Sequence, residues 1–180
     1  MVREEETGIA AAASTGYDAA CGDLILRLDA DSVPPRDWIA RMVAPFAADP
    51  LLAALSGPGV FSGLPRPVAG LATRSYMGIY FRLIGALIGR PPLFGSNLAL
   101  RRTAWAEVSA EVHRHDGRVH DDLDLTLHLA PRFRTVHQPS LVVPVSARPL
   151  AHPFGMLERA RRAAHTLRLH PDRRALRLTR

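Results

Sequence analysis

A chain of 180 residues with 47% hydrophobic and 22% charged side chains has the make-up of one soluble, core-forming domain. Its single cysteine, Cys21, excludes an internal disulfide and a thiolate metal cluster. The formal charge of +6 is carried entirely by arginine, with Glu4–Glu6 near the start and an arginine-rich stretch from Glu158 to Arg180. A charge imbalance of this kind suits nucleic acid, anionic lipid or a phosphorylated substrate and does not choose among them.

Met1-Val2 is followed by Arg3 and three Glu instead of an apolar run, so no leader peptide is expected and a cytoplasmic setting is. Thr7 to Ala20 is alanine-rich and predicts a helix, which leads through Gly22-Asp23 into the apolar run Leu24-Ile25-Leu26-Arg27-Leu28. Such a run is the mark of a buried strand. After Pro34-Pro35, Trp38, Ile39, Met42, Val43 and Phe46 recur at helical spacing, with Pro45 in the last turn. Leu51 to Ser56 predicts a second strand and Gly57 to Pro67 a Gly/Pro-rich loop. A long helix follows over Val68 to Gly89; its apolar part, Tyr76 to Gly89, is broken by Arg82 and too short to span a bilayer. Gly95-Ser96-Asn97 is turn chemistry before a Leu98-Leu100 strand, and Thr103 is placed to cap a helix running to Val108. Residues 113–119 read as polar loop, Asp121 to Ala130 as a helix, Val142 to Val145 as a strand, and Phe154 to Leu169 as an amphipathic helix. Alternating strands and helices predict an α/β fold with a mostly parallel sheet and flanking helices.

Two acidic clusters carry the chemistry. Asp29-Ala30-Asp31 ends the first strand, and in α/β sheets that end is where ligands bind. Carboxylate oxygens two residues apart suit a hard cation, Mg²⁺ or Mn²⁺, bound together with a diphosphate; the same triplet before Pro-Pro also serves as a simple turn. Asp121-Asp122 and Asp124 open a helix, where acidic residues are favoured by the helix dipole alone. Crowded carboxylates also raise one another's proton affinity, as a general base requires. Arg101 and Arg102 are candidates for phosphate contact or for plain ion pairs. His113, His115 and His120 flank the second cluster, but their spacing matches neither HExxH nor a zinc finger, and they read as loop histidines. Trp38 and Trp105 read as core.

The order of these segments, a strand ending in Asp-x-Asp, then Gly-Ser-Asn-Leu-Ala-Leu-Arg-Arg, then Asp-Asp-Leu-Asp-Leu, resembles glycosyltransferase family 2 over roughly Gly8 to Val145. The resemblance implies a partial GT-A (nucleotide-diphospho-sugar transferase) fold and metal-assisted, inverting transfer of a sugar from a nucleotide-diphosphate donor to a glycan or lipid-linked acceptor. It implies that Asp31 ligates Mg²⁺ or Mn²⁺ with Asp29 beside it or the ribose, and that Gly95, Ser96 and Asn97 lie near the donor sugar. Asp121-Asp122 falls on the family's Glu-Asp pair, with Asp122 at the place of the catalytic base; Asp replaces Glu at Asp121 and shortens that side chain.

The resemblance divides the chain into a catalytic part, 1–150, and a basic amphipathic helix and tail, 151–180. It also carries the expectation that the family's base-binding N-terminal elements are missing and the chain is truncated relative to its relatives. The final helix, with Leu157, Ala160, Ala164 and Leu167 against Arg159, Arg161, Arg162 and Arg168, suits a packed helix with a solvated arginine face or a peripheral contact with the inner membrane face. Two other readings stand beside the enzyme: a non-catalytic remnant that binds a glycan or protein partner, and a basic membrane-surface or nucleic-acid module. No nucleic acid is expected, because the tail from Arg161 to Arg180 lacks the interleaved aromatics of a nucleic-acid surface.

Overall fold

The computed structural model describes residues 2–63, 65–148 and 155–171. Helix α1 (Ile9–Asp18) precedes strand β1 (Leu24–Leu28), followed by α2 (Trp38–Ala48), β2 (Leu52–Ser56) and β3 (Gly59–Ser62). Helix α3 (Arg66–Ile79) runs through a π-helical turn (Tyr80–Ile84) into α4 (Gly85–Ile88), which ends at Gly89 with a left-handed φ of 83°. Glycine is the residue that closes a helix this way without steric cost. Strand β4 (Asn97–Arg101), helices α5 (Arg102–Val108) and α6 (Asp121–Leu129), strands β5 (Arg134–His137) and β6 (Val143–Ser146), and helix α7 (Gly155–Leu169) complete the order. The basic tail beyond Pro171 and the first residue of the expected last helix, Phe154, lie outside the described residues. No described helix is long and apolar enough to cross a membrane.

The α/β class follows the alternation read in the sequence, and strand direction adds a feature that periodicity does not carry. One sheet has the order β1-β4-β2-β5, and β3 and β6 form a second. The β2/β5 and β3/β6 ladders are parallel, whereas β4 runs antiparallel to both its neighbours. In that register Asn97, the first residue of β4, lies opposite Leu28, the last of β1, and Leu98 opposite Ser56, the last of β2. Gly95 and Ser96 are thereby delivered to the carboxyl ends of β1 and β2. A parallel β4 would have put Arg101 and Arg102 there instead.

Successive side chains along a strand point to opposite faces, and because both faces are covered β2 and nearly all of β4 are buried throughout. Ile25, Leu98 and Leu100 pack with Tyr17, Trp105, Val108, Leu125 and Leu129 on the face covered by α1, α5 and α6. Leu24, Leu26, Leu28 and Ala99 face the other way, onto Trp38, Met42 and Phe46 of α2. By this alternation Arg27 shares the face of Ile25. Phe61 and Val145 of the second sheet pack on Met77 and Phe94, and Ala163 and Leu167 of α7 join Ile84, Ile88, Leu123 and Leu127.

Strands β3 and β5 were not expected. Gly57-Pro58-Gly59 reads as a loop, but β3 continues the chain past Gly57, where an added Cβ would fall 1.9 Å from the Leu141 carbonyl oxygen. Thr103 does not cap α5, because the helix begins one residue before it, at Arg102.

Candidate active site

The two acidic clusters meet through the turn between them. Asp29 accepts a hydrogen bond from the Ser96 hydroxyl, and the next backbone amide back, Gly95 N–H, donates to Asp122 Oδ2 at 2.8 Å. Gly95 is required by space: a Cβ there would stand 2.1 Å from Asp122 Oδ1 and 2.8 Å from the Arg27 guanidinium carbon. Asp29, Asp31 and Ser96 line an open cleft of about 1430 Å³, together with Phe61, Tyr76, Phe94, Arg148 and Arg159. Asp31 is ion-paired with Arg148 across its mouth. Asp122 lies behind the Gly95–Ser96 turn, with 10% of its side chain exposed.

The sequence reading missed the residue that makes the second cluster stable. Arg27 interrupts an apolar strand, and its Nη1 lies 2.7 Å from Asp121 Oδ2 and 3.5 Å from Asp122 Oδ1 while donating to the Tyr17 hydroxyl at 3.0 Å. A lone cation within an apolar strand, in a chain with an unpaired acidic doublet elsewhere, was the available signal. Burial works against the charge on Arg27, but Asp121, Tyr17 and Asp122 outweigh it and keep the guanidinium firmly protonated. Burial pushes the Tyr17 phenol up to about 12 against the pull of Arg27.

One guanidinium cannot neutralise two buried carboxylates, and the pair splits. Burial disfavours the charge on Asp121, yet Arg27 and then His120 prevail and hold it below the ordinary carboxylate range. Burial and then the charge of Asp121 push Asp122 up to about 8, against Arg27 and the Gly95 N–H. Burial and the neighbouring charge thus favour the protonated form of Asp122, while Arg27 favours the ionised form of Asp121. Next to it, burial lowers the proton affinity of His120, whose ring stacks on Tyr80 with centroids 5.9 Å apart.

Three expectations change. Asn97 is fully buried and spent within the fold: its Oδ1 accepts from Trp38 Nε1 at 2.9 Å and its Nδ2 donates to the Leu141 carbonyl at 2.6 Å. It supports the turn from beneath, and Ser96 is the residue of the trio whose side chain reaches the cleft. Arg101 and Arg102 lie at the far end of β4 and bond backbone carbonyls, Arg101 those of Leu52 and Phe46 and Arg102 that of Gly22, and neither lines the cleft. Arg159 of α7, read as part of a membrane-facing stripe, lines the cleft and donates to the Tyr76 hydroxyl at 3.3 Å. Trp38 and Trp105 are core residues, as their helical spacing suggested.

The family model for Glycosyl transferase family 2 matches residues 1–107. The chain belongs to this family. No match is found among curated proteins. Among solved structures, the mannosyltransferase PcManGT from Pyrobaculum calidifontis, in complex with GDP-Man and Mn²⁺, superposes with a TM-score of 0.64 at 21% identity, over 96% of this chain and 49% of that one. Glucosyl-3-phosphoglycerate synthase from Mycobacterium tuberculosis, in complex with Mn²⁺, UDP and glucosyl-3-phosphoglycerate, gives 0.57 at 16% identity, over 90% of this chain and 54% of that one. A mycobacterial protein gives 0.54 at 18% identity, over 93% and 51%. The fold of this family 2 chain is thus a partial GT-A fold, and the chain spans about half the length of the solved structures it matches.

Proposed function

We propose that this family 2 protein transfers a sugar from a nucleotide-diphosphate donor to an acceptor hydroxyl with inversion, using Asp122 as the base and Asp29-Asp31 as the donor-side carboxylates. The observation that carries the reading is the hydrogen-bonded run Asp29–Ser96–Gly95–Asp122, which joins a cleft lined by carboxylate and hydroxyl oxygens to a buried carboxyl. The PcManGT complex holds GDP-Man and Mn²⁺, and the glucosyl-3-phosphoglycerate synthase complex holds UDP and Mn²⁺.

Asp29 and Asp31 fit such an ion, since two carboxylates on an open cleft offer the oxygen donors that Mg²⁺ and Mn²⁺ prefer. Asp31, with Asp29 beside it, would hold the cation, which would supply charge neutralisation for the departing diphosphate. The chain's own residues do the rest. Arg148 releases Asp31 and is then free to meet donor phosphate, a role suited to a planar guanidinium. Ser96 fixes Asp29 from the side. Asp122, once deprotonated, takes the acceptor hydroxyl's proton as the new bond to the anomeric carbon forms and the bond to the diphosphate oxygen breaks. With Asp122 acting as base on the acceptor and Asp29 and Asp31 engaged on the donor side, this is a single displacement, and it inverts the anomeric centre.

Transfer from GDP- and UDP-sugars with Mn²⁺ tests the proposal. Asp122→Asn should lower turnover on the order of 10²–10⁴-fold with donor affinity unchanged, whereas Asp31→Asn should lose Mn²⁺-dependent donor binding. Retained turnover in Asp122→Asn, or a product that keeps the donor's anomeric configuration, would refute it.

A further inference from the structure

Away from the residues that line the cleft, three imidazoles converge on one carboxylate. His113 comes from the loop before α6, Asp124 and His128 stand one turn apart on α6, and His170 directly follows α7. One ligand atom from each lies within 4.8 Å of all the others. Asp124, 3% exposed, places its Oδ1 2.7 Å from His113 Nδ1, 2.8 Å from His170 Nε2 and 3.6 Å from His128 Nε2. The other oxygen, Oδ2, takes the backbone N–H of His113 at 2.8 Å. Of the histidines flanking the acidic cluster, His115 pairs with Glu6 in the open, whereas His113 is drawn onto the buried Asp124.

A hydrogen-bond hub does not account for all of this. Two imidazoles already occupy the two lone pairs of Asp124 Oδ1. His128 Nε2 is shut off from solvent, too far from that oxygen for a hydrogen bond, and has no other partner among the described residues. A buried polar nitrogen left in this way costs free energy unless something else binds it. Four ligands around one tetrahedral ion at 2.0–2.2 Å would stand about 3.3 Å apart, and the three spacings to Asp124 Oδ1 bracket that value. Imidazole-rich N₃O donor sets suit Zn²⁺, in contrast to the all-oxygen pair Asp29-Asp31.

We propose that His113, Asp124, His128 and His170 form a structural zinc site that clamps the end of α7 to α6. Four protein ligands leave no open position, the mark of a structural ion. The clamp closes a link between residues far apart in sequence, and it bears on the same helix that begins with Asp121 and Asp122.

Untagged protein, stripped with chelator, is titrated with Zn²⁺ by calorimetry and with Co²⁺ by visible absorption. The expected result is one tightly bound ion per chain, tetrahedral Co²⁺ bands, and a Tm raised by roughly 5 °C or more at a hundredfold excess over Kd. His128→Gln and His170→Gln should each weaken binding by more than the roughly 10–100-fold typical of losing an outer-shell partner, while Asp31→Asn keeps full affinity. Should His128→Gln fail to fold, His170→Gln at the chain's periphery decides. Absence of one-to-one binding, or full zinc affinity in the His170 variant, overturns the site.

Discussion

Asp122→Asn isolates the cost of burying a second carboxylate beside Asp121, and it does so without reference to turnover. The substituted amide reproduces the protonated acid: its carbonyl accepts the Gly95 N–H and its NH₂ donates toward Asp121, as the retained proton does. Between about pH 4 and pH 8 the folded chain keeps on Asp122 a proton that the unfolded chain has released, so its contribution to stability, complete below about pH 4, drains away as pH rises through this window. Raising a carboxyl from 3.8 to about 8 corresponds to on the order of 5 kcal/mol. Arg27 and Asp121 relax with the ionisation, and about 2–3 kcal/mol is the expected observable. Urea denaturation of both proteins should therefore give near-equal stability at about pH 4.5 and an advantage for the Asn variant that grows to about 2–3 kcal/mol by pH 8. A stability difference that stays flat across this range would refute the assignment of the retained proton to Asp122.

Gly95→Ala should cost about 1–3 kcal/mol in thermal or urea denaturation, because the added methyl enters the space of Asp122 Oδ1; a neutral effect would mean the turn is not held as described. Arg27→Met should destabilise by about 3–5 kcal/mol at pH 7, since it strands the Asp121 charge in the interior. That loss should shrink at about pH 4, where Asp121 is free to protonate; a loss that grew on acidification would place the partner of Arg27 elsewhere.

Much of this architecture was legible where one physical signal dominated. The run from Leu24 to Leu28 is apolar enough to be a strand in any context, and the spacing of Trp38, Met42 and Phe46 admits only a helix with one buried face. Strand β3 was hidden by Gly57-Pro58-Gly59, whose turn chemistry is overridden because the Leu141 segment packs against the bare Gly57 backbone. Strand β5, Arg134–His137, alternates weakly and, among the described residues, pairs only with β2 at the sheet edge. In the site, Asp29 and Asp122 were readable as carboxylates in a family order. The family resemblance puts Asn97 near the donor sugar, yet it is buried with its amide bonded. Arg27 and the histidine cluster depend on pairings across 94 and 57 residues, from Arg27 to Asp121 and from His113 to His170, which no local pattern encodes.

The antiparallel course of β4 makes two neighbouring residues inseparable. Ser96 serves the cleft and Asn97 serves the core. Because successive residues of a strand point to opposite faces, a slip of one position would bring an amide to the cleft and bury a hydroxyl where Trp38 and Leu141 need a partner. Insertions in the helical stretch between β3 and β4 leave this phase untouched, while a single residue gained or lost between Gly95 and Arg101 would disarm the cleft and loosen the core in one event. Drift in length is thus permitted to the long excursion and denied to the five-residue strand.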